Sequence, residues 1–213
     1  MYLEEKRIEL VKRLRMQGRI KTFEVEKAFL EVPRELFIPE NLKNYSYVDT
    51  PLEIGNGQTI SAPHMVAIMC EGLNLKKGQK ILEIGTGSGY HAAIVSKIIG
   101  KNGQVHTIER FESLAKNAKE SLKKANIKNV TVEIGDGSLG LQKYAPYDRI
   151  YVTCAAPDTP PPLIEQLKDG GKLMVPVGET ICDLKLLEKK DKKIEIKSLG
   201  GCAFVPLVGK YGY

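Results

Sequence analysis

The sequence predicts an α/β protein built on a doubly wound, mostly parallel sheet, with helices ahead of it and an antiparallel tail behind. Three observations carry that expectation. Short apolar runs alternate with helical stretches between residues 80 and 177, which is the rhythm of βαβ units. The segment ILEIGTGSGY at 81–90 places a glycine-rich turn after the first run and ahead of a helix, the context such a turn needs before it suggests a nucleotide-type ligand. After residue 178 the pattern changes to strictly alternating, highly charged strands.

Taken in order, Leu3, Leu10, Val11 and Leu14 fall on one face of a first helix. A second helix starts after Thr22, a suitable cap, buries Phe23, Ala28 and Phe29, and stops at Pro33. Proline, glycine and asparagine dominate 33–63, giving a long irregular stretch of the kind compact domains keep for function. Within it GNGQTISAPH at 55–64 has neither helical nor strand period and is a candidate reaction-site loop. A short helix at 63–73 follows. Strand 80–84, helix 91–99, strand 104–109, helix 112–125 and strand 130–134 come next, then strand 148–153, a proline-started helix at 161–167 and strand 171–177. In the tail, DLKLLEKKDKKIEIKSL reads as two antiparallel strands joined by a charged turn at 189–193, and 202–208 as a last apolar strand. The whole is expected as one domain, 1–213. Its parts are the helices and loop (1–75), the cofactor-binding core (76–178) and the tail (179–213).

A chain of 213 residues can bury one core. With 42% hydrophobic and 27% charged residues, and no apolar run of bilayer length, a soluble protein is expected. The opening MYLEEKRIELVKRLR lacks the apolar stretch of a secretion signal, which points to the cytoplasm. Cys70, Cys154, Cys182 and Cys202 form no CxxC pair, so free thiols are expected rather than zinc or a disulfide scaffold, and no metal is expected. The net charge of +6 invites a nucleic-acid partner only weakly, because many of the lysines fall on solvated helix faces and in the tail turn. His91 and His106, on a helix and a strand, read as satisfied structural histidines.

The spacing Gly85, Gly87, Gly89 allows a tight turn and close approach of backbone to a ligand at a helix start. Glu109 ends the second strand of the core, where an acid can take both ribose hydroxyls. Asp136, in IGDGS, ends the third and is placed for an adenine amino group. A dinucleotide is the first rival, but its fingerprint is GxGxxG, and Glu83 at the end of the first strand would repel a diphosphate while attracting the ammonium of a methionine. S-adenosyl-L-methionine fits better. Each acid alone has a plainer reading, Glu83 as a solvated or capping acid and Asp136 as a turn former beside Gly137; the three successive strand ends favour the cofactor.

ILEIGTGSGY, VHTIER, IGDGS and PYDRIYVTCAAP resemble the motif series of class I S-adenosylmethionine methyltransferases, which have a Rossmann-like fold. Together with VPRELFIP, YVDTPLEIGNGQTIS, LKDGGKLMVPVG and FVPLVG, they make the chain similar, over most of its length, to the protein-L-isoaspartate (D-aspartate) O-methyltransferase family. The resemblance implies that Gly85, Thr86, Gly87 and Gly89 line the methionine part of the cofactor, with Glu83 near its amino group. By the same resemblance Glu109 and Arg110 serve the ribose, and Asp136 and Gly137 meet the adenine. Thr59 and Ser61 match the hydroxyl residues over the sulfonium and the substrate carboxylate, Ser61 at the position usually named as the active-site residue. Phe204, Val205, Pro206 and Leu207 border the peptide. Departures are Glu53 where proline is expected, Cys154 in place of a common alanine, and His64 at a variable position.

The implied activity is protein repair. Methyl passes to the free α-carboxylate of an L-isoaspartyl, or also a D-aspartyl, residue of a damaged protein, leaving S-adenosyl-L-homocysteine; the ester then collapses to a succinimide. A carboxylate with a pKa of about 3.9 to 4.3 is already ionised at neutral pH and needs no general base, which accounts for the missing histidine–carboxylate pair. The protein is expected to act as a monomer, with neither nucleic acid nor membrane as partner. The rival enzyme is a transfer-RNA adenine methyltransferase, disfavoured by the loop GQTISAP; other nucleic-acid methyltransferases are disfavoured by TCAAP after the fourth strand, which is neither an Asn-Pro-Pro-Tyr nor a Pro-Cys motif. The rival of another class is a cofactor-binding module without activity, disfavoured by the intact Glu83, Glu109, Asp136 and Ser61 set.

Overall fold

The computed structural model describes residues 2–191 and 193–213. Met1 of the first segment and Lys192 of the expected charged turn lie outside them. Helix α1 (Tyr2–Met16) buries Leu10, Val11 and Leu14, and α2 (Phe23–Glu31) buries Val25, Ala28 and Phe29. Phe23 was expected inside but is 68% exposed, because as the first residue of the helix it falls off the stripe that Val25 and Phe29 set. Thr22 caps α2 by position, while its hydroxyl donates to Glu71 instead of to the helix.

The stretch expected to be irregular is more ordered than its composition suggests. Two 3₁₀ turns (Arg34–Phe37 and Glu40–Tyr45) are followed by a hairpin, β1 (Leu52–Gly55) and β2 (Gln58–Ile60). Its turn carries Asn56 at φ 54° and Gly57 at φ 68°, the left-handed pair that two-residue hairpin turns require and that Asn-Gly supplies at least cost. The candidate reaction loop is therefore a β-hairpin and its exit, leading straight into α3 (Pro63–Leu73).

Beyond it come β3 (Lys80–Ile84), α4 (Tyr90–Ile99), β4 (Gln104–Glu109), α5 (Glu112–Lys124), β5 (Val130–Ile134), β6 (Tyr147–Val152), α6 (Pro161–Glu165), β7 (Leu167–Val177), β8 (Cys182–Lys190) and β9 (Lys193–Cys202). The seven strands lie in the order β5-β4-β3-β6-β7-β8-β9, parallel from β5 to β7 and antiparallel beyond. Both faces of the central strands are covered. Ile81, Tyr151 and Met174 join the core under α1 to α5, while Leu82, Ile84, Ile150, Val152, Leu173 and Val175 join a second core with Leu163 of α6 and Leu207. Burial on both faces explains why these strands read as unbroken apolar runs.

Two boundaries differ from expectation. The α6 helix ends at Glu165, and β7 begins at Leu167, passing through Gly170 and Gly171 with a register shift against β6. The last strand expected at 202–208 is absent: β9 closes at Cys202, and the following segment touches the sheet through the single bridge of Ala155 to Pro206. The next bond of a parallel ladder would have to come from residue 157, which is Pro157 and has no N–H, so the ladder stops after the bonds of Ala155 to Val205 and Leu207. Cys70, Cys154 and Cys182 are buried and Cys202 half-buried, all as free thiols. No helix among the described residues is long and apolar enough to cross a membrane.

Candidate active site

The strand order reverses beside β3: the chain moves outward through β4 and β5, then returns to β6 on the other flank. Ligand clefts of open α/β sheets form at such a switch point, outside the carboxyl ends of the strands, and here that is where Ile84 leads into Gly85 and Val152 into Thr153. The Thr153 hydroxyl reaches the carbonyls of Ile84 (3.0 Å) and Gly85 (2.6 Å), tying the two strand ends together. Gly85 has φ +89°, and a Cβ there would stand 2.5 Å from Thr153 Oγ1. A side chain would thus block the mouth of the cleft.

Two cavities meet at this point. One is walled by Ile84, Gly87, Ile108, Glu109, Phe111 and Gly137, with Arg110 and Val205 to Val208 at its rim. The other, smaller, is walled by Ser61, Glu83, Thr86, Tyr90 and His91. Thr59, Gly85, Gly87 and Thr153 belong to both. Among the described residues no hydrogen bond engages the hydroxyl of Thr59 or of Ser61, so both remain available to a ligand.

The glycine turn works differently from expectation. The N–H groups of Gly85 and Thr86 point to the Ile108 carbonyl (3.0 and 3.3 Å), and Gly87 N donates to Glu109 (2.8 Å). Those three amides are spent inside the protein, so the turn contributes space more than donors. Glu109 also accepts from Phe111 N (3.0 Å). A carboxylate has about four acceptor positions, so two remain for the vicinal hydroxyls of a ribose.

Glu83 is fully buried. Thr107 donates to Oε2 (2.5 Å), while Oε1 has no partner. Burial pushes the carboxyl up to about 8, against the pull of the Thr107 and Tyr151 hydroxyls and with help from the nearby Glu109 charge. An orphaned carboxylate oxygen beside a polar cavity suits a cationic amino group, and apolar Ile84, Ile108 and Phe111 suit a purine. The residues present fit S-adenosyl-L-methionine, with its amino acid end toward Glu83 and its ribose toward Glu109.

Three residues expected at the ligands line neither cavity. Gly89 packs against Ala118 and Leu122 and seats α4 on α5. Asp136 accepts from Ser138 N (2.9 Å), Ser138 Oγ (2.7 Å) and Lys210 N (2.8 Å), so it holds the chain's last residues in place. Phe204 packs on the larger core, and its neighbours Val205, Pro206 and Leu207 wall the first cavity, which was expected for cofactor rather than peptide. Arg110 donates to the Val208 carbonyl (3.2 Å) across the same rim. His91 and His106 are not the satisfied histidines expected: His91 Nδ1 and both nitrogens of His106 lack partners, and burial lowers both pKa values, that of His91 to about 3. His91 keeps one polar contact, Nε2 to Cys70 Sγ (3.5 Å), and each ring packs on a tyrosine, His91 on Tyr151 and His106 on Tyr144.

Thr153 and Phe111 were missed in the sequence. Thr153 stands directly after a parallel strand at the switch point, a position that could have flagged it; Phe111 carries no comparable signal.

Comparison with known proteins agrees with this geometry. The family model described as protein-L-isoaspartate (D-aspartate) O-methyltransferase matches residues 5–212. A protein-L-isoaspartate O-methyltransferase of Methanococcus aeolicus is 60% identical over 204 residues, covering 96% of this chain and 94% of its relative. A solved protein-L-isoaspartate O-methyltransferase superposes with a TM-score of 0.89 at 32% identity, over 97% of this chain and 67% of that one. A Plasmodium falciparum protein described under the same activity, and solved with S-adenosyl-L-homocysteine, gives a TM-score of 0.84 at 30% identity, over 94% and 97% of the two chains. The chain belongs to the protein-L-isoaspartate (D-aspartate) O-methyltransferase family.

Proposed function

We propose that the protein transfers a methyl group from S-adenosyl-L-methionine to the free α-carboxylate of L-isoaspartyl residues in damaged proteins and peptides, with D-aspartyl residues as a second substrate. The observation that carries this reading is the meeting of a largely apolar cavity beside Glu109 with a smaller one beside Glu83 at Thr59, Gly85, Gly87 and Thr153, with the unengaged hydroxyl of Thr59 at the junction and that of Ser61 in the smaller cavity. When bound, S-adenosyl-L-methionine supplies a methyl group on a positively charged sulfur. The protein's own task is to hold an acceptor carboxylate in line with that methyl and to keep water away, so that proximity and orientation supply most of the rate. Neutral hydroxyls suit this task. They orient the anion through Ser61 and Thr59 without the tight ion pair that would blunt its nucleophilicity, and charge is neutralised in the transition state. No proton has to be removed from the acceptor, which fits a site whose lining histidine, His91, is held neutral.

The chain acts as one domain and as a monomer, in the cytoplasm, without nucleic acid. One continuous core supports the first of these, running from Leu10 of α1 through α4 to Leu184 of β8. Against nucleic acid, some surface lysines are paired with acids, as in Lys27–Glu31 and Lys143–Glu133.

The test is incubation with labelled cofactor and an isoaspartyl peptide, its normal aspartyl twin, or transfer RNA. Base-labile label on the first alone is expected; stable label on RNA, or none on any, defeats the reading. In Ser61→Ala, transfer should fall roughly 10- to 100-fold, the loss of one hydrogen bond to a charged acceptor, while S-adenosyl-L-homocysteine affinity by calorimetry stays near that of the wild type. Equal activity in this variant removes Ser61 from the mechanism.

A further inference from the structure

Arg34 is a fully buried cation to which the proposed chemistry gives no task. Among the described residues it makes no ion pair, and its Nε has no hydrogen-bond partner. Removing a guanidinium from water without a counter-charge is costly, so the contacts it does make are informative. Nη1 donates to the carbonyl of Ser61 (2.9 Å), and Nη2 reaches the carbonyl of Thr50 (3.4 Å). Thr50 stands just before β1 and Ser61 just after β2, so one planar fork spans the base of the hairpin. The next rung out is Asp49, whose Oδ1 accepts from both the backbone N–H (2.9 Å) and Nδ1 (3.0 Å) of His64. On its other side the guanidinium lies 5.0 Å from the ring centroid of Tyr90, the first residue of α4 after the glycine turn. Burial lowers its pKa to about 10, offset in part by Tyr90 and Asp49, so it is charged at neutral pH.

We propose that Arg34 is a positioning residue for the methyl acceptor: it fixes the Ser61 backbone against the first turn of α4, so that Ser61 keeps its place in the wall of the smaller cavity, beside the junction at Thr59. The proposal rests on the reading of Ser61 as the residue that orients the substrate carboxylate. A fork geometry is needed because two carbonyls, one from each arm of the hairpin, are held at once. Lysine keeps the charge but presents a single point donor.

The experiment compares wild type, Arg34→Lys and Arg34→Met in methyl transfer to an isoaspartyl hexapeptide at saturating cofactor, in S-adenosyl-L-homocysteine affinity by calorimetry, and in unfolding temperature. In Arg34→Met, kcat/KM for the peptide should fall roughly 10- to 100-fold, as for losing a charged hydrogen bond, with the peptide KM raised and the calorimetric Kd within about threefold of wild type. Arg34→Lys should recover part of the KM effect and little of kcat. A folded variant with unchanged kcat/KM overturns the proposal. Equal loss of cofactor affinity and activity also overturns it, since that pattern marks general support of the fold. If Arg34→Met does not fold, the same two readouts on Arg34→Lys decide. A wild type inactive on the peptide overturns the functional reading and this proposal together, and is told apart from the other outcomes because those are read only against an active wild type.

Discussion

Glu83 shows how a single side chain can be costly to the fold and useful to the site. It lies in β3 inside the sheet, where the Thr107 hydroxyl donates to it and His91, Tyr151 and Cys70 stand near it without charge at neutral pH. Its carboxyl is raised from 4.5 to about 8 by burial, so at neutral pH the cofactor-free protein holds a proton there that the unfolded chain does not. The stability tied to that proton is complete below about 4.5 and is lost as pH rises through about 8, with a slope of about 1.4 kcal/mol per pH unit between them. Glu83→Gln should flatten this slope in urea titrations run from pH 5 to pH 8. A cofactor ammonium would favour the ionised form, so binding of S-adenosyl-L-homocysteine at pH 7 by the wild type should release a proton. The release is measurable as a heat that scales with the buffer's ionisation enthalpy. The glutamine variant should release none and should bind about tenfold or more weakly. A wild-type heat independent of buffer would mean that Glu83 is already ionised.

The hairpin and the glycine turn are two elements with one conformational demand and different surroundings, which separates their roles. Gly57 has φ +68° and open space within 4 Å of where a Cβ would stand, whereas Gly85 has φ +89° and Thr153 Oγ1 in the way. Both Gly→Ala changes cost about 1 to 2 kcal/mol for the left-handed backbone. Gly57→Ala should spend that locally, raising the peptide KM with cofactor affinity intact. Gly85→Ala should displace Thr153 from its two carbonyls, lower the unfolding temperature and weaken cofactor binding as well. Calorimetry on both variants checks the contrast; loss of cofactor affinity in Gly57→Ala would show that the hairpin belongs to the cofactor site. The three leading core strands were legible to the residue because each is a short β-branched run bounded by glycine or asparagine and set between helical stretches. The hairpin was not read from the sequence, where this stretch reads as irregular: Asn56-Gly57 carries the turn signal, but the strands are too short for an alternating pattern to show beside so many prolines and glycines.

At the scale of the whole molecule, sequence pattern reaches as far as contacts within and between neighbouring elements, and the site depends on longer ones. Glu83 and Glu109 could be placed because strand ends in a doubly wound sheet converge. The staple from Arg34 to Ser61, the bond from Thr153 to Gly85, and the hold of Asp136 on the carboxyl terminus could not, because each joins segments far apart in the chain with no periodic signal. The last of these makes a closed circuit. Lys210 N donates to Asp136 (2.8 Å), Tyr211 N to Ser138 Oγ (3.0 Å), Tyr213 N to the Leu207 carbonyl (2.8 Å), and Leu207 N to the Ala155 carbonyl (2.7 Å). Thus the wall Val205 to Val208 is pinned at one end by the strand-end residue Ala155 and at the other by the turn that follows β5. Burial alone would raise the Asp136 pKa, but the Lys210 and Ser138 donors outweigh it and hold it below its ordinary value, so the latch is charged and intact at neutral pH. Deleting residues 210–213 should therefore free that wall while leaving the sheet untouched. S-adenosyl-L-homocysteine should bind about 5- to 20-fold more weakly, part of the loss of one charge-assisted hydrogen bond and two neutral ones that hold the wall. The unfolding temperature of the cofactor-free protein should fall by only a few degrees, about 2 to 4 °C per kcal/mol for a chain of this size. Unchanged affinity in the truncated protein would show that the wall stands without its latch, and that Asp136 is free to serve the adenine directly.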